Sequence, residues 1–106
     1  MLRIYGVILE VLGAPKPVVE QIERRDGDLA RQMRRAMCSV ALNVAEGTGS
    51  AGKNRNARYH TALGSMRETT ACVEVGSALG YIGALDAELV DRMCKITGTL
   101  VRLARG

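Results

Sequence analysis

The sequence predicts an all-α protein, an antiparallel up-down-up-down four-helix bundle formed by residues 1–106 as one domain. Three observations carry this. Apolar residues recur three or four positions apart along nearly the whole chain, the spacing of a buried helix face. No segment alternates with the two-residue period of a strand, and the valines sit in helical phase. Turn and cap signals divide the chain into four helix-length stretches with short connections, as a bundle requires.

The first stretch runs from about Leu2 to Arg25. Ile4, Ile8, Val11, Val18 and Ile22 keep one helical phase across the insert Gly13-Ala14-Pro15-Lys16-Pro17. One helix kinked at the prolines explains the retained phase. The alternative is a short helix, a turn, and a second helix that starts at Pro17. With Arg3 and Glu10 within or beside it, the apolar run is too short and too charged to span a membrane. Because Glu10 interrupts the apolar region a signal peptide needs, an amphipathic helix is the better reading.

Asp26-Gly27-Asp28 is a turn carrying its own helix cap. The second helix follows over about Leu29 to Glu46, with a seam of Leu29, Met33, Ala36, Val40 and Asn43. The glycine-rich loop 47–52 ends it. The third helix covers about Asn54 to Tyr81, with Tyr59, Leu63, Met66, Thr70 and Val73 on one face. Gly80 and Gly83 mark its end, and Asp86 is placed to cap the fourth. That last helix has a seam of Leu89, Met93, Ile96, Leu100 and Leu103 opposite a charged face.

The composition fits this plan. The chain has 106 residues, 47% hydrophobic, with three Tyr and neither Phe nor Trp, so its core is aliphatic. Apolar positions off the seams (Tyr5, Leu12, Val19, Leu42 and Val75) are left for a second copy, which predicts a homo-oligomer. Three widely spaced Cys and one His make poor material for a zinc site. Cys38, Cys72 and Cys94 are read as small core residues of a reduced, cytoplasmic protein. No metal and no cofactor is expected.

The stretch Gly47-Thr48-Gly49-Ser50-Ala51-Gly52-Lys53-Asn54 fits GxGxxG and nearly fits a phosphate-binding GxxxxGK[ST]. Both motifs need a preceding strand, and here a helix precedes. Nucleotide hydrolysis is therefore excluded, although glycine N–H groups, Lys53 and the following helix start suit a phosphate. His60 lacks a nucleophile and an orienting partner, so no enzyme is indicated.

Two polar features call for partners. Folding the second and third helices about the glycine loop sets position 35 level with about 66, which predicts a structural ion pair between Arg34 or Arg35 and Glu68. Asn43, on a seam, is expected to bond across to the third helix near Tyr59 and fix register.

Topology also sorts the charge. The net charge is only +4. In an up-down-up-down bundle, however, the chain start, the glycine loop and the end of the last helix share one end. That end gathers Arg3, Lys53, Arg55, Arg58, Arg102 and Arg105, with Glu46 the one nearby acid. The other end mixes Arg24, Arg25 and Arg31 with Glu20, Glu23, Asp26, Asp28, Asp86 and Glu88. A one-sided basic patch predicts non-specific RNA or DNA binding, with weak base preference because only Tyr59 and Tyr5 lie near it.

Several residues at fixed spacing also resemble a family. They are Gln32, Arg34, Arg35 and Ala36, then Asn43-Val44-Ala45-Glu46-Gly47, then Leu63-Gly64-Ser65 with Glu68, then Leu79-Gly80-Tyr81. The stretch that carries them resembles the bacterial four-helix bundle proteins first noticed in intervening sequences of large-subunit ribosomal RNA genes. That family is similar in turn to the accessory variability determinant of diversity-generating retroelements. The resemblance implies a helical protomer, a homopentamer, a nucleic-acid role and a reverse transcriptase as a protein partner. It also implies that Arg34, Arg35, Asn43, Glu46 and Glu68 belong to the bundle's structural signature. Gly13, Pro15 and Pro17 depart from the family's smoother first helix. The resulting expectation is a non-enzymatic oligomeric scaffold that binds nucleic acid. The alternative is a protein-interaction module whose charge serves solubility.

Overall fold

The computed structural model describes the backbone of residues 3–13 and 16–106, and the side chains of residues 5–10, 13 and 17–106. The described residues form helices and connections, with no strand among them. In order these are α1 (Arg3–Gly13), α2 (Lys16–Arg25), α3 (Gly27–Thr48), α4 (Gly52–Ala78) and α5 (Ala87–Arg105). The first stretch is described as α1 and α2, and Ala14 and Pro15, where the kink was expected, lie outside the described residues.

The long helices start and stop for local reasons. Asp26 caps α3, its Oδ1 accepting from the Leu29 N–H at 3.0 Å. Asp86 caps α5, accepting from the Glu88 N–H at 3.0 Å. Arg102 and Arg105 in the last turn of α5 suit its negative dipole end. The end of α4 is a Schellman turn. The Tyr81 N–H reaches the Gly76 carbonyl at 2.8 Å and the Gly80 N–H reaches Ser77 at 3.1 Å, with Gly80 at φ +75°.

Helix α4 is central and packs against both α3 and α5. Its 27 residues match most of the molecule's 43 Å length at about 1.5 Å per residue. Helix α2 lies on α3, and α1 reaches both α3 and α5. One aliphatic core runs between them, including Ile8, Ile22, Met33, Val40, Val44, Met66, Ile96 and Leu100.

The seams differ from expectation in ways that share a cause. On α3, Val44 and Ala30 are buried, while Asn43 and Leu29 are half-buried. On α5, Ala104 is buried in place of Leu103. On α4 the expected Tyr59, Leu63, Met66 and Val73 are buried, but so is a second stripe of Ala62, Thr69, Cys72 and Gly76, while Thr70 is half-buried. A helix packed against two neighbours buries two faces. Gly76 meets a third element as well: a Cβ there would lie 3.0 Å from Ile22 Cδ1 of α2.

Of the apolar positions expected to face a second copy, Val19 is instead buried in the core at 3% exposure and Tyr5 is half-buried. Leu12 lies outside the described side chains. Leu42 and Val75 are exposed, and Val7, Leu9, Leu79 and Val90 join them. The cysteine reading also needs correction, since Cys72 alone is buried and Cys38 and Cys94 are exposed. All three are free thiols. No described helix is long and apolar enough to cross a membrane.

Candidate functional site

The connection between α3 and α4 is built from the glycine-rich stretch. The Gly49 N–H donates to the Ala45 carbonyl at 3.3 Å and the Ser50 N–H to Gly47 at 3.2 Å. The Ser50 hydroxyl donates to the Glu46 carbonyl at 2.8 Å. Gly52 opens α4 at φ +60°, a left-handed conformation that glycine adopts without steric cost. Arg55 then folds back, its Nε donating to the Ser50 carbonyl at 3.1 Å.

Within this turn Gly47 has a second task. A Cβ at position 47 would lie 2.7 Å from Tyr59 Cε1 and 3.0 Å from Cδ1, so the ring occupies the space a side chain would need. Tyr59 is 2% exposed and among the largest buried side chains. It lines a hollow of about 560 Å³ between the start of α4 and the end of α5. Thr48, Gly52, Arg55, Asn56, Arg102, Leu103 and Gly106 complete the lining. Gly106 lies against the Asn56 amide, where a Cβ would meet Nδ2 at 2.8 Å.

The expected basic residues divide around this end. Arg55 and Arg102 meet in the hollow, and neither has a carboxylate partner among the described residues. Arg58 turns to the other side, where its Nη1 pairs with Glu46 Oε2 at 2.9 Å. It borders a smaller depression with Ser50, Asn54 and Thr61. Lys53 is exposed in the first turn of α4 and Arg105 in the last turn of α5. The Arg3 side chain lies outside the described residues. Tyr59 was expected near the basic patch, whereas Asn56 and Thr48 were not expected as site residues. The one signal for them was proximity to the loop, because neutral side chains carry no charge pattern to follow.

The structural polar residues behave differently from expectation. Arg34 pairs with Glu23 of α2 through two bonds, Nη1 to Oε2 at 2.7 Å and Nη2 to Oε1 at 3.2 Å. The Arg34 hydrogen bond, reinforced by its charge, holds the Glu23 carboxyl below the usual carboxylate range. Glu68 is exposed and joins none of the ion pairs among the described residues, nor does Arg35. The expected Arg34 or Arg35 pair with Glu68 is therefore absent there. Level height was not enough, because Glu68 turns to solvent.

Asn43 does not reach toward Tyr59. Its Nδ2 donates to the Ser39 carbonyl at 2.9 Å and to Ser39 Oγ at 3.1 Å. The Ser65 hydroxyl of α4 donates to the same Ser39 Oγ at 2.6 Å. Asn43 thus crosses to α4 through Ser39 and Ser65. The pairs Ser39–Ser65 and Glu46–Arg58 are both symmetric about Gly52, which defines the hairpin register. The expected register was centred between one and two residues earlier, inside the loop.

Burial raises the Cys72 thiol's pKa, and the nearby Glu68 charge adds to the shift. No group of three or more metal-ligating side chains occurs among the described residues. A search of curated proteins and one of solved structures found no match. The family model of the 23S rRNA-intervening sequence protein matches residues 18–102, from early α2 to the last turn of α5. That match spans most of the chain, and the protein belongs to the 23S rRNA-intervening sequence protein family.

Proposed function

We propose that this chain is the protomer of a non-enzymatic, homo-oligomeric four-helix scaffold that binds RNA or DNA through the end where α3, α4 and α5 meet. In this reading α1 and α2 together form the first of the four helices. The observation that carries it is the convergence of cations from two helices on one hollow at that end. Arg55 and Arg102 share a hollow without a carboxylate partner among the described residues, with Lys53 and Arg105 exposed beside them. Elsewhere Arg31, Arg34, Arg92 and Lys95 each pair with an acid, while Arg24, Arg25, Arg35 and Arg67 join no ion pair among the described residues. Arg35 and Arg67 border hollows of their own, but neither meets there an unpaired cation of a second helix, as Arg55 meets Arg102. Unpaired cations on one face suit a phosphate backbone, whereas paired ones contribute little field.

Leu42 on α3, Val75 on α4 and Leu79 just past the end of α4 support the oligomeric part, being apolar area left on the outside of the bundle. The resemblance suggests a pentamer and a reverse transcriptase as partner. Binding of a fluorescent single strand across a salt series tests the nucleic-acid reading. The wild type should bind at low salt with a steep loss as salt rises. Lys53→Glu with Arg55→Glu and Arg58→Gln should abolish binding, while Arg24→Glu with Arg25→Glu changes it little. Equal losses in the two sets would remove the one-ended interface. No binding at low salt would leave a protein-interaction module. Light scattering showing a monomer at micromolar concentration would remove the oligomer.

A further inference from the structure

The hollow between α4 and α5 has features that a merely basic surface does not need. Its cations come from two helices, Arg55 near the start of α4 and Arg102 near the end of α5. Each is oriented by a neutral acceptor. Arg55 Nε donates to the Ser50 carbonyl at 3.1 Å, and Arg102 Nη2 donates to Thr99 Oγ1 at 3.1 Å. These bonds leave further N–H donors on each guanidinium for a ligand.

Tyr59 is the second observation. Its side chain is 98% buried, as its 2% exposure states, yet its hydroxyl has no hydrogen-bond partner among the described residues. Tyr59 is one of the residues that line the hollow. The side chain is held there by contact with Gly47, where no Cβ fits. The amide of Asn56 stands beside it. The hollow therefore brings two positive forks together with the Asn56 amide and Tyr59.

We propose that this hollow binds a phosphomonoester, and that on a nucleic acid it takes the terminal phosphate of a strand. This rests on the nucleic-acid reading above and narrows it. A terminal phosphate carries more charge than a phosphodiester and offers three strong acceptor oxygens, which match two guanidinium forks and a phenol donor. Charge alone would not call for the Tyr59 hydroxyl.

The test uses three probes on the full-length chain at one salt concentration. They are a 5′-phosphorylated oligonucleotide, the same oligonucleotide with a 5′-hydroxyl, and a nucleoside 5′-monophosphate. The phosphorylated strand should bind about tenfold tighter than the hydroxyl-ended one, the size of a charge-assisted hydrogen bond or two. The monophosphate should compete that preference away. Tyr59→Phe keeps the ring and Arg102→Gln is a surface change. Each should lower the ratio of the two affinities toward one. Arg58→Gln, outside the hollow, should weaken both strands alike and leave the ratio. Equal binding of the two strands by the wild type overturns the proposal, while salt-sensitive binding of both would still support the broader interface. If neither strand binds but the monophosphate does and Arg102→Gln removes it, the hollow is a phosphate site and the nucleic-acid reading falls.

Discussion

Gly47 and Tyr59 face each other across the α3–α4 hairpin so closely that a single methyl on the glycine would lie 2.7 Å from the tyrosine ring. The contact joins the last turn of one helix to the first two turns of the next. It fixes in place a ring that lines the candidate site.

Gly47→Ala should therefore destabilise the fold by about 1–3 kcal/mol, the usual cost of overpacking a rigid aromatic neighbour. A helical glycine replaced by alanine ordinarily gains about 1 kcal/mol, so the sign itself is diagnostic. Urea unfolding should also show partial recovery in Gly47→Ala with Tyr59→Leu. Additive losses would mean the ring moves aside freely.

Gly76 meets a softer neighbour. Its Cβ would touch the Ile22 side chain, with Cδ1 at 3.0 Å and Cγ1 at 3.1 Å. Gain in helix propensity and strain on Ile22 are of similar size, so Gly76→Ala should change stability by less than about 1 kcal/mol. Adding Ile22→Val removes Cδ1 and should make the pair of changes less costly than the sum of the two alone. A double-mutant cycle by chemical denaturation reads this directly.

Ser39 Oγ accepts from both Asn43 and Ser65. Ser39→Ala should cost about 1 kcal/mol or more, because two donors lose an acceptor at once. Ser65→Ala removes one donor and should cost less. The two losses should be strongly non-additive in a cycle. Independent losses would show that the relay is not one unit.

The thiols separate by exposure. Alkylation of native protein at pH 8 followed by mass spectrometry should mark Cys38 and Cys94 first, with Cys72 protected by burial and by its raised pKa. Raising pH speeds all three, and Cys72 should catch up only on unfolding. Early labelling of Cys72 would contradict its place in the core.

The Glu23–Arg34 pair sets a small pH dependence. The folded carboxyl titrates below its ordinary range, so its stabilising effect is present above the unfolded pKa. It is lost as pH falls through the lowered folded value. The pair is well exposed, so Arg34→Gln should lower the neutral-pH Tm slightly, less so in high salt and not at all in strong acid. Glu68→Ala should leave the melt within error, since Glu68 is exposed and outside the ion pairs described.

The sequence by itself determined the helical class, the caps at Asp26 and Asp86, and most of the core. These are local properties: hydrophobic period, cap chemistry and left-handed glycines act within one or two turns. It also determined that basic residues cluster at the loop end, because connectivity alone places Lys53, Arg55 and Arg58 near the close of α5. Only the tertiary structure decided which cations stay unpaired. Arg34 found Glu23 on α2, Arg58 found Glu46, and Glu68 found solvent. Partner choice depends on helix rotation and on a register centred at Gly52, and a shift of a few residues exchanges one neighbour for another. The second buried face of α4 was hidden for a related reason. Ala62, Thr69 and Gly76 are small rather than apolar, and such residues become legible as a contact stripe only when a second helix is packed against them.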